Sequence, residues 1–168
     1  MKKLYTVLFL LSAFFACTDC DQQKSEKEEL ASIQKMLNQY FTAIEKEDYQ
    51  LIEQSWKKSD SIVMLGTNSL DNLVGWERIK NAYRDQFALV SDFYISISDQ
   101  CIRVNSTGNT AWFSQLMNYN FIVGGVAQSY DGLRFTGVLE KCEEGWKLVQ
   151  GHLSVPANVD IGDKSERQ

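Results

Sequence analysis

Residues 94–104 read YISISDQCIRV and residues 110–123 read TAWFSQLMNYNFIV, followed by VAQSYDGLRFTGVLEKC at 126–142 and WKLVQGHLSV at 146–155. In each run apolar and polar side chains tend to alternate, the period of a strand whose successive residues point to opposite faces. The runs are separated by Asn105-Ser106-Thr107-Gly108, by Gly124-Gly125 and by Glu143-Glu144-Gly145, all short turn-forming stretches. Long strands joined by tight turns predict an antiparallel meander occupying the second half of the chain.

Upstream of the meander the period lengthens. Leu30, Ile33, Met36, Leu37, Tyr40, Phe41 and Ile44 recur every three or four residues, which predicts a helix over about 27–45 with one apolar stripe. Asp48 is placed to cap a second, shorter helix carrying Leu51, Ile52 and Trp56. Ser61 to Thr67 predicts a short strand and Asn68 to Val74 a loop; Trp76, Ile79, Tyr83, Phe87 and Val90 then mark a third helix entered through Gly75. Helices first and strands after predict an α+β fold: three N-terminal helices packed on a strongly curved antiparallel sheet, bent enough to bury both apolar layers and open at one end.

Composition limits what such a domain can do. The 168 residues are 44% hydrophobic, enough for one core, and the net charge of −5 with no basic run beyond residue 3 leaves nucleic acid without an electrostatic footing. A Gly-rich phosphate loop, paired histidines for zinc and a Gly-x-Ser-x-Gly elbow are all missing, so no metal or nucleotide cofactor is expected.

The start of the chain has the layout of an export signal. Lys2 and Lys3 precede an apolar run from Leu4 to Ala16, too short for a permanent membrane helix, which takes about 20 residues. Phe14-Phe15-Ala16-Cys17 resembles the lipobox of bacterial lipoproteins and makes Cys17 the expected lipidation site; an ordinary signal cleaved elsewhere is the alternative, and both export the protein. The expected organisation is a signal over 1–20, a polar linker over 21–27, a domain over 28–156 and a polar tail over 157–168. The expected location is the cell envelope, facing periplasm or cell surface, with membrane contact through the anchor alone. Cys101 and Cys142 remain inside the domain, and sequence leaves their pairing open.

Three stretches carry a family likeness: Tyr40 to Asp48; Ile62 to Thr67 with Val74-Gly75-Trp76-Glu77; and Arg134 to Lys141 with Gly145 to Val149 and His152-Leu153-Ser154-Val155-Pro156. Together they resemble the nuclear transport factor 2-like superfamily, in its SnoaL-like branch. In this chain tryptophan follows the glycine before the third helix, where the family pattern has it first. The resemblance implies a pocket between helices and sheet, a frequent homodimer, and a range of uses from isomerases and dehydratases to plain binding modules, among which fold does not choose.

Candidate pocket residues are Arg134, His152, Tyr119, Trp112, Tyr83 and Trp76. His152 is the single histidine, suited to acid–base work near neutrality, or else to bridging the last strand and the helix layer. Arg134 would need an anion if buried, from a ligand or from Asp60, Asp71 or Asp99. Tyr119, Tyr83 and Tyr94 offer hydroxyls to an apolar cavity. An isomerase-like site needs a carboxylate base in apolar surroundings, and none of the three aspartates sits inside an apolar strand segment. The expectation is therefore a small-molecule binding domain without catalysis, with an isomerase or hydrolase using His152 or a pocket aspartate, and a dimeric scaffold, as alternatives.

Overall fold

The computed structural model describes residues 26–68 and 72–156. The export signal, Cys17, the linker to residue 25, Asp71 and the tail after Pro156 lie outside the described residues. The elements are α1 (26–45), α2 (Tyr49–Ser55), β1 (Val63–Leu65), β2 (Asn72–Val74), α3 (Trp76–Leu89), β3 (Val90–Val104), β4 (Thr110–Val123), β5 (Val126–Cys142) and β6 (Gly145–Ser154).

The apolar stripe of α1 becomes its buried face: Ile33, Leu37, Tyr40, Phe41 and Ile44 are at most 6% exposed. Asp48 caps α2 as its position predicts, its Oδ1 accepting the Leu51 N–H at 3.1 Å. Gly75 opens α3 at φ +85°, left-handed backbone that a side chain would strain.

The six strands lie in the order β2-β1-β6-β5-β4-β3. The meander β3 to β6 is antiparallel throughout, whereas β1 joins β6 in parallel, Val63 to Leu65 beside Gln150 to His152. The sheet is thus mixed, and β2, paired antiparallel to β1, lies at the end of the stretch expected to be loop. Three residues lack the apolar alternation that would have marked it.

Curvature comes from irregularities in the ladder. Register shifts fall between Ser91 and Tyr94, between Ser98 and Cys101, between Met117 and Tyr119, and between Val138 and Leu139. Each inserted residue bends its strand and increases the local twist. Helices cover the concave face, where Phe113, Met117, Leu133, Phe135, Leu139 and Leu148 meet α1, each buried to 3% exposure or less. Fully burying one such side chain is worth about 1.5–3 kcal/mol.

Cys101 and Cys142 are both free. Cys101 pairs with Ser114, which pairs with Thr136, six residues up β5 from Cys142. At about 3.3 Å per residue that is roughly 20 Å, far beyond the reach of a disulfide.

Candidate functional site

Between α1, α3 and the upper half of the curved sheet lies a cavity of about 530 Å³. Its walls are mostly apolar: Phe41 and Ile44 from α1, Ile79 and Leu89 from α3, Met117 and Phe121 from β4, Leu133 and Phe135 from β5. The register shift between Met117 and Tyr119, which adds local bend and twist to the sheet, falls at this cavity, and both residues line it.

Three phenols supply the polar groups. Tyr40 on α1 and Tyr83 on α3 share a buried hydroxyl–hydroxyl hydrogen bond of 2.5 Å. The Tyr119 hydroxyl accepts from Gln86 Nε2 at 2.6 Å. Burial pushes the Tyr83 hydroxyl up to about 12, with the Tyr40 hydroxyl and the Trp56 indole pulling the other way. Burial, then the proximity of Tyr83, holds Tyr40 well above the ordinary tyrosine value, and burial raises Tyr119 likewise. At neutral pH all three are protonated donors rather than bases.

The hydrogen count is lopsided. Two hydroxyl hydrogens serve one bond between Tyr40 and Tyr83, and Tyr119 accepts while its own hydrogen finds no acceptor among the described residues. Trp56 Nε1 is wholly buried beside the Tyr83 hydroxyl, and Trp56 itself is not in the cavity wall. Donors therefore exceed acceptors at the inner end, where an incoming acceptor would be matched. Among the described residues the lining contains no Lys, Arg or His, and its single carboxylate there, Asp85, is on an exposed position of α3.

Of the six residues expected at the pocket, Tyr83 and Tyr119 line it; the other four are not in its walls. Trp76 is buried in the core at the start of α3. Trp112 and Arg134 are exposed on the outer face of the sheet, since Ala111, Phe113, Leu133 and Phe135 take the inner one. His152 is half-buried and pairs with Thr136, which pairs with Ser114 on that outer face. The reason is a single extra residue. Leu148 pairs with Leu139 but Gln150 pairs with Val138, so Val149 is inserted, and everything after it changes sides. Trp146 and Leu148 face inward, then Gly151 and Leu153, leaving His152 outside.

Asp60 and Asp99 are exposed, and neither forms an ion pair with Arg134 among the described residues. Tyr94 is 65% exposed, away from the cavity. Tyr40 and Gln86 belong to the site without having been expected there. Tyr40 sits within the apolar stripe of α1 and reads as core; only its hydroxyl, facing Tyr83 across the helix pair, distinguishes it.

A family model described as the SnoaL-like domain matches residues 33–158. Among solved structures the chain is similar to a nuclear transport factor 2-like superfamily protein from Salmonella enterica serovar Typhimurium, with a TM-score of 0.70 at 23% identity over 84% of this chain and 97% of that one. It is similar to a ketosteroid isomerase-like protein from Erwinia carotovora, with a TM-score of 0.63 at 21% identity over 77% and 98% of the two chains. A protein of Novosphingobium aromaticivorans, provisionally described as a scytalone dehydratase, superimposes with a TM-score of 0.71 at 11% identity over 84% and 93%. At such identities the likeness is one of fold. No curated protein matches the chain.

Proposed function

The chain belongs to the SnoaL-like domain family, and from that premise we propose that it binds a neutral, largely apolar small molecule in the cavity and releases it unchanged. The observation that carries this reading is the lining itself: apolar walls with surplus hydroxyl donors at the inner end and, among the described residues, no cation or imidazole. A ligand carbonyl, ether or ring nitrogen would satisfy those donors. A carboxylate would not, because an anion buried without a cation bears the same desolvation penalty that raises the three phenols. Catalysis by proton transfer wants a group titrating near the working pH, and the buried tyrosines are held far from it.

The test is thermal unfolding of the chain with a neutral aromatic ketone and with its carboxylate analogue. A ligand at 100 times its Kd stabilises the native state by about 2.7 kcal/mol, which in a domain of this size raises Tm by roughly 10 °C. The ketone is expected to shift Tm and the carboxylate not to. A shift by the carboxylate alone, or by no neutral ligand of a broad panel, refutes the reading.

A second reading concerns assembly. Trp112 and Leu116 are 49% and 36% exposed on the outer face of the sheet, with Val138 beside Trp112. An apolar patch on a broad face supports a two-fold pairing of copies through that face. In the same reading the first 20 residues direct export and Cys17 carries the lipid, on the strength of the basic, apolar and cysteine layout.

A further inference from the structure

Tyr83 and Gln86 stand three residues apart on α3, so their side chains leave the same face of the helix, and both line the cavity. Tyr119 enters the wall from β4, its ring packed against Phe93 and Phe121 at centroid distances of 5.8 and 5.6 Å. A ring held by its neighbours leaves one freedom at its polar end, the direction of the hydroxyl hydrogen.

That freedom is narrow. Conjugation keeps a phenol hydrogen in the plane of the ring, on one side of the oxygen or the other, and the oxygen accepts on the side the hydrogen leaves open. Gln86 Nε2 donates to the Tyr119 oxygen at 2.6 Å. An amide N–H has no lone pair to receive a proton, so the Tyr119 hydrogen is turned away from Gln86. Burial raises the Tyr119 hydroxyl above the ordinary tyrosine value, so this hydrogen is retained at neutral pH. The carboxamide does not titrate either, and the arrangement is the same on both sides of neutrality.

We propose that Gln86 sets the polarity of the cavity: by donating to Tyr119 it makes that phenol a hydrogen-bond donor, so the site prefers a ligand bearing a carbonyl over one of the same shape bearing an N–H. This rests on the cavity reading above and adds a positioning residue to it, since Gln86 acts through Tyr119. A ligand carbonyl meets the Tyr119 hydrogen. A ligand N–H meets the same hydrogen donor against donor, and its lost water partner is not replaced. A carboxylate in place of the carboxamide would accept the Tyr119 hydrogen and leave the oxygen lone pair for the ligand, which reverses the preference.

Three tricyclic aromatics of one outline separate polarity from shape: fluorenone carries a carbonyl, carbazole an N–H and fluorene neither. Their dissociation constants are read from displacement of Nile red, an uncharged dye, at pH 8 and 9, which keeps a carboxylate at position 86 ionised. The parent chain is expected to bind fluorenone roughly two- to tenfold more tightly than fluorene, the worth of one hydrogen bond, and carbazole more weakly than fluorene. Gln86→Glu should lower the preference for fluorenone over carbazole at least about fivefold. Gln86→Met, uncharged and close in length, frees the Tyr119 hydrogen to take either side and should lower it about twofold. Tyr119→Phe lowers the ratio as well, and in that background neither change at position 86 should move it further, which a merely structural role for Gln86 would not predict. A ratio unchanged in both Gln86 variants, or one that falls equally far in the Tyr119→Phe background, overturns the proposal while ligand binding itself stands. Should Gln86→Glu lose the parental circular dichroism, Gln86→Met in the two backgrounds decides. Binding of neither the dye nor any tricycle by the parent chain sinks the cavity reading and this proposal with it.

Discussion

Tyr40 and Tyr83 provide the sharpest test of the donor-rich cavity, because removing both hydroxyls should cost less than removing one. The two oxygens lie 2.5 Å apart with both side chains at most 6% exposed. Tyr83→Phe strands the Tyr40 hydroxyl, and an orphaned buried hydroxyl costs about 1–3 kcal/mol. Tyr40→Phe should cost less, since Tyr83 keeps the Trp56 indole as a neighbour. In the double variant no hydroxyl is stranded and two phenyl rings occupy the same space, so its loss is expected to stay below about 1 kcal/mol. Equilibrium urea unfolding of the four proteins forms a double-mutant cycle, and the two losses should fall short of additivity by roughly 1–3 kcal/mol. A double variant that loses the sum of the two singles would show that the hydroxyls act independently, and the donor count at the inner end would then have no basis.

Four further outcomes are expected. The three raised phenols hold their protons in the native state to higher pH than in the unfolded chain, where tyrosine titrates near 10. Their contribution is therefore complete below about pH 10 and is lost as pH rises through the native values, Tyr83 at about 12 among them. Urea midpoints should be level from pH 7 to 9 and fall beyond 10, less steeply in Tyr119→Phe; a fall already at pH 8 contradicts this. On the acid side, the hydrogen bond from Lys141, with that from Trp146, holds the Glu29 carboxyl below its usual range. That contribution is present above the ordinary glutamate value and lost as pH falls through the native one, so Glu29→Gln should flatten the acid limb of the stability profile. Gly137→Ala should cost about 3 kcal/mol or more, because the new Cβ would lie 2.6 Å from the Gln150 backbone oxygen and 2.6 Å from the Phe113 ring. Gly108→Ala, in open space at φ +70°, should cost only about 1–2 kcal/mol, and equal losses in circular-dichroism melts would refute the close-approach account. Finally, Leu116→Glu on the outer face should convert a dimer to a monomer in analytical ultracentrifugation without changing the fold, whereas an unchanged mass would place any pairing elsewhere.

Much of the architecture was legible because it depends on period and punctuation, which are local. The spans Thr110 to Val123 and Val126 to Cys142 agree with the turn signals on either side of them, and the first helix agrees within a residue. β3 begins at Val90, four residues before its alternation becomes regular, because the Ser91 to Tyr94 irregularity hides the period. The parallel β1–β6 pair was not legible. It joins segments 87 residues apart, Val63 to Gln150, and nothing in either one states the direction of its neighbour.

The site was less legible than the fold, and for two separable reasons. Arg134 and Trp112 could have been placed correctly, since their neighbours state the answer. Leu133, Phe135, Gly137 and Leu139 form an apolar set that must face the helices, which sends Arg134, Thr136, Val138 and Glu140 outward, and Phe113 does the same to Trp112. Chemistry-bearing side chains attracted the pocket assignment although the alternation opposed it. His152 is different in kind. Counting alternate positions from Trp146 puts it inside, and only the insertion of Val149, a residue with nothing unusual about it, puts it outside. A bulge moves every later residue to the other face, so the same insertion that removes the histidine from the cavity brings Leu153 into its wall. Which side chains enter the pocket is thus decided by where the ladder is irregular, and not by the identity of the residue at the irregularity.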